Sequence, residues 1–365
     1  MIDSIKTVAI VGAGLVGRML VWQLSNKYPD IQITLFDKGS LQHSKSAANT
    51  AAGMISPLSE LSVSERAIYD MGINALKQWP LWLQKIQNQT HQHVDYQSMG
   101  SIVLAHVLDK SELVQFQQEM DFKLSKHDLD SKPYQWLGQE QLQNKETQLG
   151  QNFDEGLFLN DEAYIDNRAL MSALFKFIKQ SDIQVFEKKP CEIKGSSVIV
   201  ENNELKFDFV FDCRGIGSNI KNLRAVRGEV LHVHCPEVSI KHSIRFMHPR
   251  YKLYIVPKPN DIYVIGATEI ESNDTSPVSL QSMLELGSAL YAVHPAFAEA
   301  RILEIDTNLR PAMIDNNPVI QIDNNKMSIN GLYRHGFLLL PEVLNTIMHV
   351  LENKPHRYNW MVKNV

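Results

Sequence analysis

Apolar positions follow three rhythms along the chain, and each predicts a different kind of element. Val8 to Val11 is an unbroken apolar run, short enough for a strand buried on both faces of a parallel sheet. From Gly17 to Tyr28 the spacing becomes helical, with Met19, Leu20 and Leu24 on one side and Arg18 and Lys27 elsewhere. Ile31 to Phe36 predicts the next strand, which ends in Asp37. Ser64 to Gln87 reads as one long helix through Ala67, Ile68, Met71, Leu76, Trp79 and Leu83, and Pro80 should kink or interrupt it. Between His91 and about Gly150 the pattern shifts to short strands, such as Ile102 to Val107, and to polar helices, as expected of an insertion. Asp166 is placed to cap a helix carrying Leu170, Leu174, Phe175 and Ile178.

The second half adds a third rhythm. Ile183 to Phe186, Ser197 to Val200 and Phe207 to Cys213 predict strands, the last running into a glycine turn at Gly215 and Gly217. Gly228 to His234, Ser243 to Met247, Tyr251 to Val256 and Ile262 to Gly266 alternate apolar and polar positions, which predicts an antiparallel sheet. A helix from Leu280 to Val293, strands at Arg301 to Thr307 and Lys326 to Ile329, and a final helix from Pro341 to Leu351 follow. Together these elements predict an α/β protein: a Rossmann-type dinucleotide-binding domain beside a second domain built on an antiparallel sheet.

The turn after the first strand carries the chemistry. Gly12, Gly14 and Gly17 fit G-x-G-x-x-G between a strand and a helix. The first glycine allows the tight turn, the second lets the backbone approach a pyrophosphate, and the third lets the helix pack on the strand. Asp37, twenty positions after Gly17, can accept the hydroxyls of an adenosine ribose and would repel a 2′-phosphate, which selects NAD or FAD over NADP. The small-residue run from Ser46 to Gly53 allows close approach of a flat ligand or another helix.

Composition narrows the class further. The chain has 365 residues, 44% hydrophobic and 21% charged, enough for two domains with their own cores. A net charge of −5 without a basic run disfavours nucleic acid and anionic membranes as partners. No apolar run approaches a membrane span and no signal-peptide pattern precedes the first strand, so the expected location is the cytoplasm. Cys191, Cys213 and Cys235 are too dispersed for a disulfide framework, and His232 with His234 lacks a third ligand, so no metal site is expected.

Six segments, in order, resemble the FAD-dependent D-amino-acid oxidase superfamily, and within it the glycine oxidase branch that serves thiamine biosynthesis. They are Ala51-Ala-Gly-Met54, Asp212-Cys-Arg-Gly-Ile-Gly217, Tyr254-Ile-Val-Pro257, Gly266-Ala-Thr268, Leu309-Arg-Pro311 and Tyr333-Arg-His-Gly336. The resemblance implies an FAD domain assembled from residues 1–90, 151–220 and 308–365, with residues 91–150 and 221–307 forming the substrate domain. It implies that Leu15 and Val16 meet the pyrophosphate, Asp37 and Lys38 the adenosine, Ala47, Ala52, Gly53 and Met54 the flavin, and Cys213, Arg214 and Gly215 the same ligand from the second turn. Residues 332–338, including Tyr333, Arg334, His335, Gly336, Phe337 and Leu338, would border the isoalloxazine edge. No cysteine stands near Asn308, so the FAD is expected to be non-covalent.

The resemblance further implies that Arg310 grips a substrate carboxylate, that Tyr254 adds a hydroxyl, and that Arg334 and His335 lie near flavin and substrate. Glu269 departs from the family, which places an apolar methionine there. A carboxylate at that position could bind an ammonium group, act as a base if buried, or turn to solvent. Two functions follow as expectations. The first is oxidation of glycine or another small amine by hydride transfer to flavin N5, with O₂ reduced to H₂O₂. The second keeps the fold and takes a side chain of a partner protein as substrate, as in maturation of a tryptophylquinone cofactor.

Overall fold

A computed structural model describes residues 2–149, 153–248 and 252–365. Tyr251, the expected start of one strand, lies outside the described residues, and that strand is described from Lys252 to Lys258. A seven-stranded sheet forms one half of the molecule. Its centre is parallel, with Thr7–Val11 between Gln32–Phe36 and Phe209–Asp212, flanked by Gln184–Phe186 on one side and Lys326–Asn330 on the other. The apolar runs fill this sheet because both of its faces are covered: Val8, Ala9, Ile10 and Val11 are each at most 1% exposed.

The helix Leu15–Lys27 covers one face, packed against the helix Asn167–Gln180. Asp166 caps the latter as expected, its carboxylate accepting from the Ala169 N–H at 2.9 Å, a contact of about 1 kcal/mol. The amphipathic reading of Leu15–Lys27 fails at one residue. Arg18, expected away from the apolar side, is buried at 1% exposure.

A nine-stranded sheet forms the other half. Arg224–His234 and Arg301–Ala312 make its longest pairing, and Ile262–Gly266, Lys252–Lys258 and Ser243–Met247 follow antiparallel. The sheet is not wholly antiparallel: Ser243–Met247 runs parallel to Ser101–Ala105. Through that pairing the 91–150 segment joins the sheet. Glu155–Leu159 and residues 308–312, which the expected boundaries assign to the other domain, pair within this sheet.

Neither proline ends a helix. Arg66–Thr90 runs unbroken through Pro80, and the last helix begins at Gly336, five residues before Pro341. A helical proline strips a hydrogen bond from the carbonyl four residues earlier. Each stripped carbonyl here meets a side-chain donor: the Tyr96 hydroxyl lies 3.4 Å from the Leu76 oxygen, and Trp79 Nε1 lies 2.8 Å from that of Phe337.

Candidate active site

A cleft of about 1420 Å³ runs between the two sheets and is lined at one end by the first glycine turn. Gly12 has φ +105°, and a Cβ there would stand 2.5 Å from the Cys213 carbonyl oxygen. A Cβ on Gly17 would stand 1.9 Å from the Gly12 oxygen, so the close packing of helix on turn demands glycine. Gly14 differs: its nearest neighbour would be Ser46 Cβ at 3.7 Å, and this residue faces open cleft. Leu15–Lys27 starts there without a side-chain cap. Free N–H groups and the positive end of the helix dipole therefore meet the cleft beside Leu15 and Val16.

Asp37 braces this turn. One carboxylate oxygen accepts from the Ala13 N–H at 2.6 Å and the other from the Gly39 N–H at 2.7 Å, with Lys38 exposed at the rim. Arg18 braces it from below, donating to the carbonyls of Ala13 at 2.8 Å, Met171 at 2.7 Å and Leu41 at 2.5 Å. Burial lowers its pKa to about 10, against the pull of Asp37 and Glu187, so the guanidinium stays charged at neutral pH.

The middle of the cleft is shaped by the small-residue run and the second glycine turn. Ala47, Ala52, Gly53 and Met54 form one wall. Gly53 has φ +74°, and a Cβ there would lie 2.3 Å from the Ile165 carbonyl oxygen. Lys258 Nζ donates to Ala52 and Ile165 carbonyls at 2.7 and 2.8 Å and pins that wall to the nine-stranded sheet. Cys213, Arg214 and Gly215 line the opposite side, with Arg214 paired to Asp212 at 2.7 Å.

The far end gathers the residues expected to touch substrate. Arg310 lies across Gly228, where a Cβ would come within 2.3 Å of its Nη2. Its Nη1 donates to the Thr268 carbonyl at 3.0 Å. No carboxylate of a described residue pairs with it, so Arg310 does not serve as a structural salt bridge. Tyr254 lines the same space with its hydroxyl over Gly266. Burial raises its pKa, with Glu60 adding to the rise and Arg310 and Arg334 opposing it, so the phenol stays protonated.

Arg334 is committed elsewhere. Its Nε donates to Glu60 at 2.7 Å and its Nη1 to Glu269 at 3.0 Å. Burial works against the charge, but the two carboxylates outweigh it and push the pKa upward. Glu269 also accepts from the Tyr333 hydroxyl. Its side chain is 51% exposed at the mouth of the cleft. Tyr333 ties this cluster to the Arg310 strand through a 2.9 Å bond from its N–H to the Pro311 carbonyl.

His335 is 2% exposed, and burial lowers its pKa to about 4, so it is neutral at pH 7. It stands just before Gly336–Leu351, whose uncapped N-terminus points free N–H groups from Gly336, Phe337 and Leu338 toward the cleft.

Sequence reading missed Glu60. Its carboxylate contacts Arg334, Arg245 at 3.5 Å and His335 Nδ1 at 3.5 Å. Desolvation alone would raise its pKa, yet Arg334, His335 once protonated in acid, and Arg245 together hold it down at about 2. The available signal was an acid inside a small, apolar segment. Arg245 was equally hidden, alternating with Ile244 and Phe246 along its strand.

The residues present fit a dinucleotide. Gly14 leaves room where a pyrophosphate would approach, two uncapped helix N-termini open into one cleft, and the volume exceeds the roughly 300–1,000 Å³ of ordinary small-molecule sites. A parallel sheet with a dinucleotide turn facing a second sheet across such a cleft defines a dinucleotide-binding protein. The chain belongs to the FAD dependent oxidoreductase (DAO) family, whose profile matches residues 7–343.

Among its relatives is the putative thiamine biosynthesis oxidoreductase ThiO of Rhizobium etli, 31% identical over 96% of this chain and 98% of the relative. The bifunctional protein ThiO/ThiG of Synechocystis sp. is 24% identical over 93% of this chain, which spans 50% of that longer protein. The crystal structure of glycine oxidase from Geobacillus kaustophilus shares the fold, with a TM-score of 0.82, 20% identity and 97% of each chain covered. The protein is thus an FAD-dependent enzyme of the glycine oxidase and ThiO-like branch.

Proposed function

We propose that this enzyme oxidises glycine or a comparably small amino acid at non-covalent FAD in the cytoplasm. The observation that carries the reading is Arg310, a guanidinium with no carboxylate partner among the described residues, laid across Gly228 beside the Tyr254 hydroxyl. Bound in this cleft, FAD would supply two-electron oxidation of the amine-bearing carbon, the substrate losing a hydride and a proton to become an imine, with O₂ as the acceptor that leaves as H₂O₂.

The chain's own residues bind and aim. Arg310 holds the carboxylate of the substrate, and Tyr254, protonated at neutral pH, donates a second hydrogen bond. Leu15, Val16 and Asp37 hold the nucleotide end of FAD, while Ala52 to Met54 and the N-terminus of Gly336–Leu351 hold the flavin end. A dipole end there favours negative charge on the reduced ring. Membership of the two sheets supports an FAD domain built mainly from residues 1–90, 160–220 and 313–365. No helix among the described residues is long and apolar enough to cross a membrane.

A second reading takes a side chain of a partner protein as substrate. It draws support from Leu280 and Leu284, 76% and 60% exposed on the helix whose Gln281 and Glu285 line the cleft. One experiment separates the two. Anaerobic glycine, sarcosine or D-alanine should bleach the flavin absorbance, and air should restore it with one H₂O₂ per turnover. If all three leave the flavin oxidised, the small-substrate reading is lost.

A further inference from the structure

Around Tyr254 and Tyr333 three guanidiniums, Arg245, Arg310 and Arg334, meet two carboxylates, Glu60 and Glu269. Glu60 bridges Arg245 and Arg334 from the buried side. Glu269 closes on Arg334 from the mouth and is itself fixed by the Tyr333 hydroxyl. Arg310, on the strand Arg301–Ala312, donates to the carbonyl of Thr268, the residue just before Glu269. Counted over these five side chains there is one positive charge in excess, and Arg310 is the guanidinium of the three with no carboxylate partner among the described residues.

We infer that Glu269 is a specificity-determining residue: by occupying Arg334 it leaves Arg310 as the one guanidinium of the three without a carboxylate partner, so the site accepts amines with one carboxylate and disfavours those with two. The inference rests on the oxidase reading above. A monocarboxylate finds Arg310 unpaired. A second carboxylate reaching toward Arg334 would have to displace Glu269 or sit beside it as a like charge, which costs binding either way. Removing the Glu269 charge opens a second cation at the mouth of the cleft. Because Glu269 is half-exposed, the effect is that of a partly screened pair, and a five- to tenfold change in preference is the scale to expect.

The test compares wild type with Glu269→Gln and Tyr333→Phe, all as FAD-loaded protein. Glycolate and malonate are titrated against the oxidised flavin spectrum, which needs no turnover, and kcat/KM is measured for glycine and for iminodiacetate. Glu269→Gln should shift the malonate-to-glycolate affinity ratio, and the iminodiacetate-to-glycine kcat/KM ratio, at least fivefold toward the dicarboxylate. The gain should shrink in 1 M salt. Tyr333→Phe, which removes a hydrogen bond and no charge, should shift either ratio less than twofold.

Unchanged ratios in Glu269→Gln overturn charge selection by this residue while leaving the oxidase reading intact if wild type still bleaches with glycine. Equal shifts in both variants also overturn it, since geometry rather than charge would then be responsible. If wild-type flavin responds to none of the carboxylates or amines, the oxidase reading fails and the inference falls with it.

Discussion

Replacing Glu60 by Gln should destabilise the protein at neutral pH and hardly at all in strong acid. The carboxyl titrates at about 2 in the folded chain, held down against its own burial by Arg334, His335 and Arg245, and at about 4.5 when unfolded. A folded pKa below the unfolded one means that the charged form is what folding favours. The contribution is therefore complete above pH 4.5 and is lost as the pH falls from 4.5 through 2. At 1.36 kcal/mol per pH unit the separation corresponds to at most about 3 kcal/mol at pH 7, where His335 is neutral and adds no pull, and roughly half that at pH 3. Deleting one member of a buried ion cluster costs a similar 3–5 kcal/mol by an independent route. Urea titrations followed by tryptophan fluorescence, on FAD-loaded wild type and Glu60→Gln at pH 7, 5, 4 and 3, measure the gap directly. The reasoning is refuted if the gap at pH 7 is under about 0.5 kcal/mol, or if it stays constant from pH 6 to pH 3.

Four further outcomes follow from the geometry. Arg310→Lys should raise KM for glycine about 10- to 100-fold in steady-state assays, because an ammonium cannot reproduce the two parallel bonds of a guanidinium. Gly228→Ala drives a Cβ into the Arg310 guanidinium, so it should raise KM for glycine while the FAD dissociation constant, read by flavin fluorescence, stays within twofold. His335→Gln should remove an acid sensitivity: burial lowers the His335 pKa to about 4, so the wild type loses stability as the pH falls from 6.5 toward 4, and melting curves of the variant should be flatter across that window. Trp79→Phe leaves the Phe337 carbonyl, stripped of its helical partner by Pro341, without a donor in a buried place, and should cost about 1–3 kcal/mol in urea titrations.

Much of this site was legible in the sequence because a few positions have local geometric causes. Gly12 and Gly17 are fixed by contacts to Cys213 and Gly12 that no Cβ could tolerate, and Asp37 follows at the distance a helix and a strand impose. Such causes leave a mark in residue type and spacing. Resemblance added Arg310, Tyr254 and Arg334 by order along the chain, and the structure brings all three to one end of the cleft.

What was not legible depends on partners distant in sequence. Arg18 looks polar on a helical wheel, yet it is buried because the carbonyls of Ala13, Met171 and Leu41 converge on it, two of them from other segments. Glu60 gains its low pKa from Arg245 and from residues 334 and 335, nearly 200 and more than 270 positions away. The prolines show the same limit from the opposite direction. Pro80 and Pro341 are conspicuous in sequence and argue for breaks, since each removes a donor and exposes a carbonyl. Whether the helix survives depends on what stands beside that carbonyl, and Tyr96 and Trp79 are placed there by tertiary packing rather than by local pattern. Local rules identify which backbone group needs a partner, and only the assembled fold supplies one.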